Sequence, residues 1–118
     1  LVVDDNEDGA EALAMMLGLL GHETAVVHDG PAALRAVETF APEVIFLDLG
    51  MPEMSGYEVA RRLRSDLVPR NVVLIALTGW GTERDKQQSR AAGFDFHLTK
   101  PVGLPEVEDV LARSTEPR

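Results

Sequence analysis

The sequence predicts a doubly wound α/β domain, in which helices cover both faces of one five-stranded parallel sheet. Short apolar segments alternate with longer amphipathic segments along the whole chain, which is the pattern of repeated strand–helix units. Two of the short segments, Val44–Leu47 and Val72–Leu77, contain only apolar residues, as strands buried on both sides of a parallel sheet do. Right-handed crossovers between such strands place helices on both faces.

The first half of the chain contains two complete strand–helix units. Leu1–Val3 is predicted as an apolar strand that stops at an acidic pair, and Thr24–Val27 as the second strand. Glu7–Leu20 carries apolar residues at intervals of three and four, with Asn6 available as N-cap, so it is predicted as a helix. Gly30–Phe40 is the second predicted helix, with a proline in its first turn.

The second half of the chain repeats the alternation three times. The predicted strands are Val44–Leu47, Val72–Leu77 and Phe96–Leu98. The predicted helices are Tyr57–Arg64, Thr82–Ala92 and Leu104–Arg113. Glycines at positions 21 and 93 follow two of the five helices directly, where the chain commonly leaves a helix.

The composition is that of an ordinary globular protein, with 45% hydrophobic and 26% charged residues, and no linker divides residues 1–118, so we expect a single domain. The net charge of −9 argues against nucleic-acid binding. The longest apolar run, Ala12–Leu20, is shorter than the ~20 residues of a membrane span, so we expect no membrane insertion. The absence of cysteine fits the cytoplasm. Leu1 lies inside an apolar run without an initiator Met, so we expect the chain to come from a longer protein.

Polar residues follow four of the five predicted strands. They are Asp4 and Asp5, Asp48, Thr78 and Lys100. Each one alone is most often a helix cap, a turn residue or a solvated charge. Because the carboxyl ends of parallel strands meet at one edge of a sheet, the fold is expected to bring all five together.

Three carboxylates held together repel one another and require a cation. Oxygen ligands without His or Cys suit Mg²⁺, and the ammonium of Lys100 and the hydroxyl of Thr78 suit phosphate oxygens. This set supports phosphoryl transfer to a carboxylate. Asp48 is the best candidate nucleophile because it ends the central strand, and Asp5 is expected opposite it as a metal ligand.

Four segments resemble the signature blocks of response-regulator receiver domains, the phosphoacceptors of bacterial two-component systems. They are VVDDNED, IFLDLGMPEMSGYE, IALTGW and FHLTKP. The resemblance implies a flavodoxin-like (βα)5 fold with strand order 2-1-3-4-5 and a signalling domain that catalyses only its own phosphorylation and dephosphorylation. It also implies a phosphohistidine donor, either a histidine kinase or a histidine phosphotransfer domain.

The resemblance carries roles to individual residues. It implies that Asp48 accepts the phosphoryl group, that Asp5 and Asp48 bind Mg²⁺ directly, and that Asp4 reaches the metal through water. The backbone carbonyl of Gly50 is the remaining metal ligand, Thr78 the switch hydroxyl and Lys100 the phosphate-binding lysine. A cis peptide is expected between Lys100 and Pro101. The first helix, through Ala10, Ala14 and Met15, is a candidate contact for the phosphohistidine partner.

The sequence departs from the family pattern at several positions. His97 stands where the family usually has the Tyr or Phe of its conformational switch, so the coupling of this residue to Thr78 is in question. Gly50 and Trp80 are expected to flank the phosphoryl group and to change its hydrolysis. The runs GMPEMSGYEVARRLR and RAAGFDFHLTKPV are more typical of receivers fused to hybrid sensor kinases.

Three other classes of protein share this layered shape. A Mg²⁺-dependent phosphatase resembling haloacid dehalogenases would need a D-x-D motif after the first strand, where this chain has Asp4-Asp5-Asn6. A flavodoxin-type module would need a Ser/Thr/Gly-rich phosphate cradle there. A receiver-like domain without phosphorylation would not need the complete set of acids, Thr and Lys.

Overall fold

Strand and helix alternate five times along the part of the chain that the computed structural model describes, which comprises residues 1–67, 71–79, 81 and 83–114. The strands are β1 Val2–Val3, β2 Val26–Val27, β3 Val44–Asp48, β4 Val73–Thr78 and β5 Phe96–Thr99. The helices are α1 Glu7–Leu19, α2 Gly30–Phe40, α3 Gly56–Arg62, α4 Glu83–Ala92 and α5 Leu104–Ser114. A π-helical turn, Leu63–Leu67, continues α3.

The five strands form one parallel sheet in the order β2-β1-β3-β4-β5, which confirms the predicted fold class and strand order. The register pairs Val3 with Leu47, and Asp48 with Leu77. Thr78 pairs with Thr99. The carboxyl ends of β1, β3, β4 and β5 therefore lie side by side at one edge of the sheet.

Each face of the sheet packs against its own set of helices. Alternate residues of a strand point to opposite faces, so Phe46 lies in one core cluster and Leu47 in the other. Helices α1 and α5 cover the Phe46 face through their buried residues, Ala10, Leu13, Leu17, Val107 and Val110. Helices α2, α3 and α4 cover the Leu47 face through Ala33, Val37, Val59, Ala60 and Ala92. Strands β1 and β4, and β3 from Ile45 onward, are nearly inaccessible to solvent, which holds the residues at their ends in place.

The predicted helix ends agree with the local backbone. The side chain of Asn6 accepts a hydrogen bond from the N–H of Gly9, which confirms it as the N-cap of α1. Gly21 and Gly93 have φ values of +92° and +105°, a left-handed conformation that side chains with a Cβ rarely adopt. Within the described residues, no helix is both long enough and apolar enough to cross a membrane.

Several predicted boundaries were wrong by one or more residues. Strand β2 begins at Val26 rather than Thr24 and is only half-buried, because it lies at the edge of the sheet and pairs with β1 alone. Helix α3 begins one residue early, at Gly56, because Ser55 caps it by accepting from the N–H of Glu58. Its predicted last turn is the start of the π-helical turn, and Thr82 lies outside the described residues.

The other boundaries differ by one residue at either end. Strand β1 starts at Val2 instead of Leu1, α1 ends at Leu19 instead of Leu20, and β4 is shifted by one position at both ends. Strands β3 and β5 and helix α5 each extend one residue beyond the predicted end, to Asp48, Thr99 and Ser114. The predicted α2, Gly30–Phe40, agrees at both ends.

Candidate functional site

Three carboxylates meet where β1 and β3 end. Asp48 is the last residue of β3, and Asp4 and Asp5 directly follow β1. One carboxylate oxygen from each residue lies within 4.8 Å of those from the other two. Asp4 and Asp48 are buried, with 3% and 6% of their surface exposed, whereas Asp5 is exposed. Asp5 is therefore the most exposed of the three carboxylates.

Lys100 supplies a positive charge to this cluster. Its Nζ lies 2.9 Å from Oδ2 of Asp4 and 3.3 Å from Oδ1 of Asp48. The backbone N–H of Lys100 donates to the carbonyl of Thr78 at 2.7 Å, which ties the end of β5 to the end of β4. The peptide bond between Lys100 and Pro101 is cis. The lysine, predicted from its position after the fifth strand, is thus brought against two of the three carboxylates.

Backbone N–H groups hold the two buried carboxylates. Gly50 donates to Oδ1 of Asp48 at 3.2 Å, and Asn6 donates to Oδ1 of Asp4 at 3.0 Å. Both oxygens of Asp4 are therefore engaged, one by Asn6 and one by Lys100. In Asp48 the N–H of Gly50 and the ammonium of Lys100 both contact the same oxygen, Oδ1.

The clustering changes the proton affinity of these groups. The pKa of Asp48 is raised to about 6, chiefly by burial and also by the charge of Asp4 and a hydrogen bond with Asp5, while the hydrogen bond from Gly50 and the charge of Lys100 act to lower it. Burial alone would lower the pKa of Lys100, but its hydrogen bonds and charge interactions with Asp4 and Asp48 raise it above the ordinary value. Lys100 is therefore an ammonium across the neutral range, while the metal-free Asp48 carboxylate is destabilised.

The donor set fits a hard divalent cation. It consists of carboxylate oxygens from Asp4, Asp5 and Asp48, with no nitrogen or sulfur ligand among the described residues of the cluster. One lysine does not balance three carboxylates, and after burial the charge of Asp4 contributes to the raised pKa of Asp48. A cation of small radius would relieve the repulsion among the carboxylates.

The two predicted switch residues lie on the same face of the sheet. Thr78 is buried at the end of β4, and His97 is half-buried on β5. The register pairs Ala76 with His97 and Thr78 with Thr99, and α4 covers this face. Nδ1 of His97 lies 3.3 Å from Oγ of Ser89 on α4. His97 is therefore in contact with α4, away from the carboxylates, and Trp80 lies outside the described residues.

Two residues that shape the site were missed in the sequence. A Cβ on Gly56 would clash with the carbonyl oxygen of Asp48 and lie 2.8 Å from Cα of Leu49, so only glycine lets α3 start this close to β3. Nδ1 of His28 lies 2.9 Å from the carbonyl oxygen of Asp4. The Ser-Gly pair before α3 could have indicated the close approach at Gly56. Nothing in the sequence indicated the contact of His28 with Asp4.

Comparisons with known proteins agree with this geometry. A family model described as the response regulator receiver domain matches residues 1–112. The transcriptional regulatory protein KdpE of Mycobacterium tuberculosis is 40% identical over 106 residues, which are 90% of this chain and 46% of KdpE. The structure of chemotaxis protein CheY4 of Vibrio cholerae has a TM-score of 0.90 at 26% identity, covering 96% of this chain and 94% of that chain.

A third relative was solved with a metal. The receiver domain of sensor histidine kinase PA1611 from Pseudomonas aeruginosa PAO1 is 31% identical, with a TM-score of 0.85 over 95% of this chain and 92% of that chain. That structure has a magnesium ion coordinated in its active-site cleft.

The chain belongs to the response regulator receiver domain family. It is a phosphoacceptor signalling domain of two-component systems rather than a classical enzyme, and its acidic pocket is typical of Mg²⁺-dependent phosphoaspartate signalling. The family assignment made from the four sequence segments is confirmed, and the phosphatase and flavodoxin alternatives are set aside. The chain spans about half the length of KdpE.

Proposed function

We propose that Asp48 accepts a phosphoryl group from a phosphohistidine on a histidine kinase or a histidine phosphotransfer domain. The observation that carries this proposal is the meeting of Asp48 with two further carboxylates and Lys100 at the end of the central strand. The acids alone could bind a cation, but the ammonium 3.3 Å from Asp48 adds a group that binds phosphate oxygens.

The hydrogen bonds of Asp48 indicate which oxygen reacts. Oδ1 accepts from Gly50 and Lys100, so Oδ2 is the oxygen that attacks phosphorus. The new O–P bond forms as the N–P bond of the phosphohistidine breaks, and the electron pair of that bond leaves with the imidazole. Lys100 donates to the oxygens of the incoming group, and the hydroxyl of Thr78 donates to the same group.

The carboxylate contacts also support an assignment of the metal ligands. Asp4 has both oxygens engaged by Asn6 and Lys100, which favours contact through water, and leaves Asp5, Asp48 and the Gly50 carbonyl as direct ligands. Mg²⁺ bound there supplies positive charge that stabilises the transferring phosphoryl group. Asp5 is exposed, so it can bind the cation at the solvent-facing side of the cluster.

The three candidate contact residues of α1 differ in exposure. Ala10 is fully buried and offers no contact, and Ala14 is half-buried. Met15 is 69% exposed, and Leu19, which was not among the candidates, is 79% exposed on the same helix. These two apolar side chains, one turn apart, support docking of α1 against an apolar helix of the phosphohistidine partner. We place the domain in the cytoplasm as part of a longer protein, of which a hybrid sensor kinase is one form.

Phosphorylation by a small-molecule donor tests the proposal. Incubation with acetyl phosphate and Mg²⁺ is expected to add one phosphoryl mass to the intact protein, and Asp48→Asn to abolish the addition while the fold remains. Asp8→Asn, which alters an exposed carboxylate in the first turn of α1, is the matched control and is expected to label normally. Labelling that persists in Asp48→Asn would contradict the assignment, as would turnover of a generic phosphomonoester by the native chain.

A further inference from the structure

The main chain of Asp4 is held on both sides by the end of β2. Its N–H donates to the carbonyl of Val27 at 3.1 Å, which continues the parallel ladder between β1 and β2 by one residue. Its carbonyl oxygen lies 2.9 Å from Nδ1 of His28. The next main-chain donor of such a ladder would be the N–H of Asp29, but there the chain turns to cap α2. The imidazole of His28 therefore takes over a main-chain position in the ladder.

The ring of His28 is the donor in this contact. A carbonyl oxygen can only accept, so Nδ1 carries a hydrogen and donates it to Asp4. Both the neutral ring with its hydrogen on Nδ1 and the doubly protonated ring can make this bond. The contact therefore fixes geometry in either charge state of the imidazole.

The bond from His28 completes the set of partners around Asp4. The N–H, the carbonyl and both carboxylate oxygens of Asp4 are then all engaged. Asp4 is 3% exposed, so its carbonyl would have little access to water if the donor were removed. This carbonyl belongs to the planar peptide that leads to Asp5, and the orientation of that plane sets where the Asp5 side chain leaves the backbone. Because Asp5 is exposed, its position depends more on this peptide than on packing around it.

We propose that His28 is a positioning residue for Asp5, because its hydrogen bond fixes the Asp4–Asp5 peptide and holds the Asp5 carboxylate beside Asp48. This inference rests on the proposed function, in which Asp5 binds Mg²⁺ directly. Without the donor, the Asp4 carbonyl turns toward water and the peptide rotates with it. The Asp5 carboxylate then spends less time within the 4.8 Å that joins the three acids, and the metal is bound less tightly.

Mg²⁺ affinity of the unphosphorylated protein tests this inference, with amide shifts followed by NMR as Mg²⁺ is added. We expect His28→Leu, which removes the donor but keeps a side chain of moderate size, to weaken Mg²⁺ binding by about tenfold. His28→Asn is expected to restore most of the affinity, because its amide nitrogen is bonded to Cγ as Nδ1 is and can donate to the same carbonyl. His22→Leu, at an exposed histidine after α1, is the matched control and is expected to bind Mg²⁺ normally.

A double variant separates positioning of Asp5 from a general loosening of the fold. Asp5→Asn removes the ligand that His28 holds, so His28→Leu added to it should weaken Mg²⁺ binding no further. A structural role alone would lower the free energy of unfolding of His28→Leu and leave its Mg²⁺ affinity native. That result, with binding weakened in Asp5→Asn, would overturn this inference and leave the metal site intact. Native Mg²⁺ affinity in Asp5→Asn would overturn the metal site, and this inference with it.

The native chain decides the question even if His28→Leu does not fold. NMR of the ring nitrogens at about pH 8, where an imidazole is neutral, is expected to show that Nδ1 of His28 carries the hydrogen. Mg²⁺ should then shift the Asp5 amide and the His28 ring nitrogens together, while the ring of His22 does not respond. A neutral His28 ring with its hydrogen on Nε2, or one whose signals Mg²⁺ leaves unchanged, would contradict the proposal.

Discussion

The ammonium of Lys100 lies 2.9 Å from Oδ2 of Asp4, a shorter distance than the 3.3 Å that separates it from Oδ1 of Asp48. Asp4 is 3% exposed, and its other oxygen is held by Asn6, so it is a fixed support for the lysine. Lys100 is thereby held beside the proposed phosphoacceptor, Asp48, while its shorter contact is with Asp4. It can move toward a phosphoryl group while keeping one charge partner.

Lys100→Arg is expected to allow phosphorylation but to weaken the conformational response to it. The guanidinium keeps the charge, so phosphorylation by acetyl phosphate should slow by about tenfold or less, but its planar fork cannot reproduce the point contacts of an ammonium with Asp4 and the phosphoryl group. Amide shift changes across residues 79–98 on phosphorylation are expected to shrink by more than half. Lys86→Arg, at the other lysine of the chain, is the control and should respond normally. A full response in Lys100→Arg would show that the lysine supplies charge alone.

Mg²⁺ is expected to stabilise the unphosphorylated domain. At about ten times its dissociation constant it should add about 1.4 kcal/mol to the free energy of unfolding, measured by thermal or urea denaturation. Asp5→Asn should weaken metal binding at least tenfold and raise the stability of the metal-free protein, because it removes one of three clustered charges. A melting temperature that millimolar Mg²⁺ leaves unchanged in the native chain would contradict the metal site.

The raised pKa of Asp48 predicts a pH dependence in the metal-free protein. Its pKa is about 6 in the folded state against 3.8 in the unfolded state, so between these values the folded state binds the extra proton and stability falls as pH rises. At pH 7 the charged carboxylate costs up to about 3 kcal/mol. With EDTA present, Asp48→Asn should therefore be more stable than the native chain by about 1–3 kcal/mol at pH 7, and the difference should shrink toward pH 4. A difference that is constant with pH would show that Asp48 does not titrate in this range.

Gly56→Ala is expected to disturb the site through the backbone. The added Cβ would meet the carbonyl of Asp48 and Cα of Leu49, and neither main-chain group can move without shifting β3. We expect a loss of about 1–3 kcal/mol in unfolding free energy and slower phosphorylation. Gly18→Ala is the control, because a Cβ there has nothing within 4 Å in helix α1 and should stabilise by about 0.5–1 kcal/mol. Equal stability changes in the two variants would refute the close approach of α3 to β3.

The ion pair between Arg64 and Asp95 is expected to contribute more than a surface pair. Its Nη2–Oδ2 distance is 2.6 Å, both side chains are about one fifth exposed, and the same Oδ2 accepts from the N–H of Leu74 at 2.9 Å. Asp95→Ala should cost about 2–3 kcal/mol in urea denaturation, because the donors lose a charged acceptor. Arg62→Ala breaks the exposed pair with Glu58 and should cost less than about 0.5 kcal/mol. Similar losses of unfolding free energy in the two variants would mean that the Arg64–Asp95 pair stabilises the fold no more than an exposed ion pair does.

The sequence by itself determined the fold class, the strand order through the family resemblance, and the five residues at the strand ends. These features are local, since apolar strands, the Asn6 cap and the glycines that end helices depend on residues within one or two turns. The parallel sheet then places the ends of its strands at one edge whatever the details of packing. For this reason Asp48 and Lys100, 52 positions apart in the numbering, could be predicted to meet.

Only the tertiary structure decided which atoms pair. The contact of Ser89 with His97 joins α4 to β5, and that of Arg64 with Asp95 joins the π-helical turn to the start of β5. In the site, both oxygens of Asp4 and one oxygen of Asp48 have partners. The side-chain positions that allow these contacts depend on the packing of both faces of the sheet. Such contacts depend on distances of a few tenths of an ångström between elements far apart in sequence. Periodicity and capping constrain each element separately, and only close packing fixes one element against another.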